Sequence, residues 1–139
     1  MLLDTHILLW AMYAEDSSKL PAAAAALLDN PEHEYFVSAA TVWEIAIKHA
    51  LQRGDFNYPP DEVVGLAQAA GCQLLPVTAA DAIALTRLPP AAAVGASNSD
   101  PFDRMLIAQA MSGHLVLVTH DSEIPKYQKH LAQQCIIAV

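Results

Sequence analysis

Asp100 to Ala110, DPFDRMLIAQA, is the stretch from which the rest of this 139-residue chain can be read. Asp100 is placed to cap the free amides of a new helix, and Pro101 suits the first helical position, where no N–H donor is needed. Phe102, Met105, Leu106, Ile107, Ala110 and Met111 then make the helix apolar over most of its circumference, leaving Arg104, Ala108 and Ser112 as a narrow remaining face. A helix so patterned is buried. At about 100° per residue, Asp103 falls between Ile107 and Ala110, so a carboxylate stands on an apolar wall. It must be protonated, paired with a cation, or open to a polar cleft. An acid at the third helical position also favours the helix dipole and can reach back to the cap, so a plain capping role stands beside a functional one.

Outward from this helix, strand and helix signals alternate. Before it, Pro89–Ser99 (PPAAAVGASNS) is a small-residue linker without periodicity, expected at the rim of whatever cleft Asp103 faces. After it, Gly113 ends the helix, and Leu115–Val118 is an apolar run of the kind buried on both faces of a sheet, followed directly by Thr119, His120 and Asp121. Ile124–Leu131 is a short amphipathic segment, and Ile136–Val139 a last strand.

The front half has the same rhythm. Met1–Leu3 is a short strand ended by Asp4 and Thr5, and His6–Tyr13 a helix. Ser17 and Ser18 break the pattern, and Pro21 opens an alanine-rich helix over Ala22–Leu28, ended by Asn30 and Pro31. Tyr35–Val37 is a strand, and Ser38 caps a helix running to about Leu51, with Gly54 ending the segment. For Glu44 in that helix two ordinary roles compete with a functional one: a Thr41–Glu44 capping box and a Glu44–Lys48 ion pair. Tyr58–Pro60 makes a turn, Asp61 caps a helix over Glu62–Ala70 that Gly71 stops, and Gln73–Leu75 is a strand. Thr78 and Asp81 form a box-like start to a helix through Leu85 to about Leu88, which makes Asp81 most simply a cap residue.

Composition narrows the possibilities. With 54% apolar residues the chain can bury a core as a single domain over residues 1–139, and no apolar run reaches the length of a membrane helix. No basic segment precedes Ile7–Met12, which argues against a secretion signal. Cys72 and Cys135 lack metal-ligand spacing and read as free thiols of a reducing cytoplasm. Seven Lys and Arg against fifteen Asp and Glu give a net charge of −8, which excludes a broad basic surface for nucleic acid but accommodates an acidic metal site or a basic protein partner.

Alternating strands and helices imply an α/β fold: a central, mostly parallel five-stranded sheet flanked by helices in three layers. Ligands of such sheets gather at the C-terminal strand ends, near the point where strand order reverses. Asp4 and Asp121 follow strands directly, and Glu44 and Asp103 lie in early turns of helices entering from the same edge, so four acids converge. Two carboxylates about 4 Å apart repel by roughly 4 kcal/mol at an effective dielectric near 20, so protons or divalent cations must relieve the crowding. All-oxygen donors without a His or Cys cluster favour Mg²⁺ or Mn²⁺ over zinc, and such a site suits phosphoryl chemistry. His6 and His120 fall in no ligand pair and read as ordinary local residues. There is no GxSxG, no Gly-rich phosphate loop, and no second Asp two residues after Asp4 as an aspartyl-phosphate phosphatase would carry.

Four segments, MLLDTHILLW, VSAATVWEIAIKHAL, DPFDRMLIAQA and LVLVTHD, resemble in order and spacing the PIN-domain ribonucleases, and most closely the VapC-type toxins of bacterial toxin–antitoxin pairs. The resemblance implies a Rossmann-like three-layer PIN fold and a Mg²⁺- or Mn²⁺-dependent endoribonuclease, usually a homodimer, silenced by an antitoxin. The family's acidic quartet falls on Asp4, Glu44, Asp103 and Asp121, as catalytic and metal-holding residues. Thr5 and Thr119 match positions that support the ligands, their hydroxyls orienting carboxylates. Arg104 and Lys48 stand where they could contact substrate phosphate, or be solvated or ion-paired. Close relatives carry a His and a basic residue just before the DPFDR segment; Ala96–Ser99 here is small and neutral, so that loop offers no charge for RNA. Two other readings keep the same fold: a non-catalytic binding module acting through a partner, and a DNA-directed nuclease.

Overall fold

The computed structural model describes residues 1–52 and 57–139; the expected stop at Gly54 lies outside them. Five short strands form one sheet: β1 (Leu2–Leu3), β2 (Phe36–Ser38), β3 (Gln73–Leu75), β4 (Leu117–Thr119) and β5 (Ile136–Ala138). Their order is β3-β2-β1-β4-β5, and every neighbouring pair is parallel. Parallel strands need crossovers: α1 (Thr5–Met12), α2 (Ala22–Leu28), α3 (Ala39–Ala50), α4 (Pro60–Ala69), α5 (Ala79–Ala84), α6 (Ala91–Val94) and α7 (Pro101–Ser112) lie in those from β1 through β4, and the 3₁₀ turn Ile124–His130 in that from β4 to β5.

Successive residues of a strand face opposite sides of the sheet, and two cores result. Leu2 and Leu117 join Leu106, Ile107, Ala110, Ile124 and Ile136 on one side. Leu3 and Val118 join Ile7, Leu8, Val37, Ile45 and Val63 on the other. Leu2, Leu3 and Leu117 are fully buried, each contributing about 1.5–3 kcal/mol in apolar transfer. This is the three-layer α/β arrangement expected from the alternation.

Several local expectations change. The central helix α7 has no polar face at its middle: every residue from Leu106 to Ala110 is buried, including Ala108, because helices and sheet enclose it on all sides. The 89–99 linker contains α6, one helical turn that buries Ala91 and Val94, closed by Gly95 in the left-handed region at φ 78°. Helix α5 stops at Ala84 and tightens into a 3₁₀ turn over Leu85–Arg87, while the serine-broken segment after α1 is itself a 3₁₀ turn, Ala14–Lys19. Helix α4 begins two residues early, with Pro59 as cap and Pro60 in the first turn, since the fixed φ of proline suits that position; Asp61 and Glu62 follow as first-turn acids. Strand β4 covers Leu117–Thr119, two residues later than the apolar run suggests, because the chain must first reverse after α7, with His114 at φ 51°. Among the described residues no helix is long and apolar enough to cross a membrane.

Candidate active site

Strand order reverses between β1 and β4: from β1 the chain goes outward to β2 and β3, then returns to place β4 on the other flank of β1. The crossovers leaving these two strands diverge, opening a crevice at their C-terminal ends. Asp4, next after β1, lies there as the cap residue of α1, 3% exposed. Its backbone N–H donates to the carbonyl of Val118 at 3.1 Å, and the Thr119 hydroxyl donates to its Oδ2 at 2.6 Å. Thr119 Oγ1 in turn accepts the Asp121 N–H at 3.0 Å, so one hydroxyl ties both strand-end acids together. Asp121 Oδ1 accepts the N–H groups of Glu123 and Ile124 at 2.6 and 3.0 Å, where the chain enters the 3₁₀ turn Ile124–His130.

Glu44 comes from α3 and is also buried. Thr5, the first residue of α1, donates its hydroxyl to Glu44 Oε1 at 2.8 Å, while Lys48 Nζ stands 3.2 Å from Oε2, the ion pair expected one turn on. The Thr41–Glu44 capping box does not form: Ser38 is the cap, its hydroxyl accepting from Ala40 N–H at 3.0 Å, and Thr41 sits a turn inside. Asp103 stands in the first turn of α7. Asp100, not Asp103, does the capping, its Oδ1 accepting from Phe102 and Asp103 N–H at 2.8 and 3.2 Å. The Asp103 carboxylate makes no reciprocal bond to the cap, so of its ordinary roles that of a first-turn acid at the helix dipole remains beside the functional one.

Electrostatics join these positions. Burial, then the charges of Asp100, Asp4, Asp121 and Glu44, push the Asp103 carboxyl up to about 8. Burial also raises Asp4; the Thr119 hydroxyl and the nearby His6 partly oppose this. All four acids singled out in the sequence therefore share one field, and Thr5 and Thr119 each hold a carboxylate by hydrogen bond. Among the described residues, no three His, Cys, Asp or Glu side chains are drawn close enough to chelate an ion as they stand. The donor set is nonetheless entirely hard oxygen, and its mutual repulsion is what a small divalent cation would relieve.

Arg104 turns inward and braces the chain around it. Its Nη1 donates to the Pro89 carbonyl at 2.8 Å and the Tyr127 hydroxyl at 3.1 Å, with the guanidinium 5.7 Å from the Tyr127 ring centre. The 89–99 segment does border the acids, since Asn98 and Asp100 line a small pocket with Asp103, Arg104, Glu123 and Tyr127. Asp81 completes a capping box with Thr78, as expected. Gln109, which sequence patterning does not mark, is 1% exposed and bridges elements: Ser38 Oγ donates to its Oε1 at 2.5 Å, and its Nε2 donates to the Pro76 carbonyl at 3.1 Å and to Asp81 at 3.4 Å. His6 and His120 meet across Trp10 at the outer edge of the crevice.

Comparison with known proteins agrees with this architecture. Residues 1–130 match the family model of the PIN domain. Two solved structures contain a similar fold: VapBC2 from Rickettsia felis bound to a DNA fragment from their promoter, with TM-score 0.66, 11% identity, and 99% of this chain and 96% of that chain covered; and DNA-bound VapBC from Salmonella typhimurium, with TM-score 0.65, 16% identity, and the same coverages. No curated protein matches the chain.

Proposed function

This chain belongs to the PIN domain family, and from that premise we propose that residues 1–139 act as one domain, a divalent-metal-dependent endoribonuclease that is the toxin of a toxin–antitoxin pair. The observation that carries the reading is the charge crowded where strand order reverses: burial, then Asp100, then Asp4, Asp121 and Glu44 together lift the Asp103 carboxyl to about 8. An interior that holds four acids against one another has a use for a counter-charge.

Asp4, Glu44, Asp103 and Asp121 are the residues that would hold Mg²⁺ or Mn²⁺. The chemistry such an ion supplies when bound is neutralisation of phosphate charge and a lowered pKa for the attacking water. The protein's own contribution is orientation: Thr119 fixes Asp4, Thr5 fixes Glu44, and the backbone amides after Asp121 fix its carboxylate. Lys48, with Nζ 3.2 Å from Glu44 Oε2, balances part of that carboxylate's charge.

An antitoxin partner is supported by the two VapBC complexes that share the fold. The net charge of −8 suits a basic partner segment better than tight RNA binding by an isolated chain. We take the active form to be a cytoplasmic homodimer, a setting that fits the two free cysteines.

The test is cleavage of RNA by purified, partner-free protein with Mg²⁺ or Mn²⁺, beside DNA under the same conditions. Asp4→Asn and Asp103→Asn should each abolish RNA cleavage while circular dichroism and the unfolding midpoint show a folded protein. Full cleavage by both variants would overturn the assignment. Cleavage of DNA alone would move the substrate, and no cleavage of either would leave a binding module.

A further inference from the structure

Outside the acids, the same crevice has an aromatic wall that the proposed chemistry does not use. Trp10 lies on α1, one turn beyond His6, with ring centres 5.3 Å apart and planes inclined by 42°. His120, from the end of β4, packs edge-on against Trp10 at 5.5 Å and 67°. His120 Nδ1 lies 2.5 Å from the backbone oxygen of Val139, which fixes the ring and leaves Nε2 as its remaining polar atom. Together with Asp121 and Ser122 these three rings line an open cavity of about 270 Å³. Asp121 thus belongs to the acid cluster on one side and to this cavity on the other. Its lining combines ring surface with the edges of two imidazoles and a hydroxyl, a mixture that a purely structural aromatic cluster does not require.

Charge decides what such a cavity would hold. A polyanion is normally held by neutralising its phosphates, and here Lys48 is engaged with Glu44 and Arg104 with Pro89 and Tyr127. With a net charge of −8 the chain must gain affinity for a nucleic acid in another way. Stacking of an unpaired base on aromatic rings is that way, and it tolerates any base. Resting on the nuclease reading above, we propose that the His6–Trp10–His120 cavity is the subsite for an unpaired base of single-stranded RNA, next to the bond to be cut. Trp10 is the stacking surface, and the His120 Nε2 edge and the Ser122 hydroxyl are the hydrogen-bonding rim.

The chain has two tryptophans, so Trp43→Phe leaves Trp10 as the one fluorophore of its kind. In that background, with EDTA present so that no strand is cut, a short single-stranded oligoadenylate should quench Trp10 emission in a saturable way. An abasic sugar–phosphate strand of the same length should not. Adding Trp10→Leu to wild type should raise KM for RNA by roughly 5- to 100-fold with kcat little changed, and Trp10→Phe should restore most of the loss. Absence of quenching, or equal quenching by the abasic strand, would overturn the inference even if RNA is cleaved. Quenching by oligoadenylate without any cleavage in Mg²⁺ would uphold the subsite and sink the nuclease reading instead.

Discussion

Asp103 shows how one side chain leads from sequence to measurement. Its angular position on the helix is legible in the sequence, because a carboxylate between Ile107 and Ala110 needs an explanation wherever the helix is buried. What the sequence leaves open is whether Asp103 reaches back to the cap; in the structure Asp100 caps, as expected, without a reciprocal bond from Asp103. The Asp103 carboxyl is raised to about 8, with burial first among the causes. A raised folded-state pKa means that the native protein binds more protons than the unfolded chain between about 4 and 8. The stability linked to this group is therefore complete below about pH 4 and lost as the pH climbs through 8. For metal-free protein, the urea midpoint should fall across that window. Asp103→Asn should flatten the fall, and Mg²⁺ at pH 8 should raise the wild-type midpoint but not that of the variant. A midpoint indifferent to both pH and Mg²⁺ would show that the acids do not share a field. The threonines are legible only through family resemblance; Thr5 and Thr119 reach carboxylates that lie 39 and 115 residues away, which no local pattern reveals.

At the scale of elements, helix starts are easier to read from sequence than helix ends. Ser38, Thr78 and Asp100 cap as their side chains dictate, because a cap is a local matter between one hydroxyl or carboxylate and the next few amides. Ends depend on what the chain meets next: α5 gives way to a 3₁₀ turn, and the small-residue linker folds into α6 because Ala91 and Val94 find a core to enter. Asp100 separates the two influences on α7. Asp100→Ala should cost about 1 kcal/mol in unfolding free energy through the lost cap. Asp100→Asn keeps an acceptor of equal quality but removes a charge beside Asp103, so it should leave that capping free energy intact and draw the Asp103 carboxyl down from about 8. Carboxyl-carbon NMR titration of Asp103 in the two variants reads the second effect, and chemical denaturation the first. Equal destabilisation by both would mean that the carboxylate acts through its charge on the helix dipole rather than as a cap.

For the whole molecule, the alternation of strands and helices foretells the parallel sheet and the edge at which the acids meet, since parallel neighbours require crossovers and crossovers carry helices. It does not foretell what braces the edge away from the crevice. Buried Gln109 reaches from α7 to Ser38 at the end of β2, to Pro76 after β3, and to Asp81 on α5. A glutamine in an apolar helix carries no periodic signal, because its partners are supplied by tertiary structure alone. Gln109→Leu keeps comparable volume but leaves the Ser38 hydroxyl and the Pro76 carbonyl without this partner. Ser38 retains its capping bond to Ala40, Asp81 keeps the Ser112 hydroxyl at 2.5 Å, and Pro76 is exposed to solvent, so the loss falls mainly on the buried Ser38 hydroxyl. At about 1–3 kcal/mol for a buried group left unsatisfied, the variant should unfold more easily by about that amount. Its denaturant slope should be unchanged, since the same surface is exposed on unfolding. Gln109 touches none of the four acids by hydrogen bond, so cleavage measured well below the new midpoint should persist. A variant as stable as the parent would show that water or a local shift satisfies these groups, and that α7 is held in place by its apolar contacts alone.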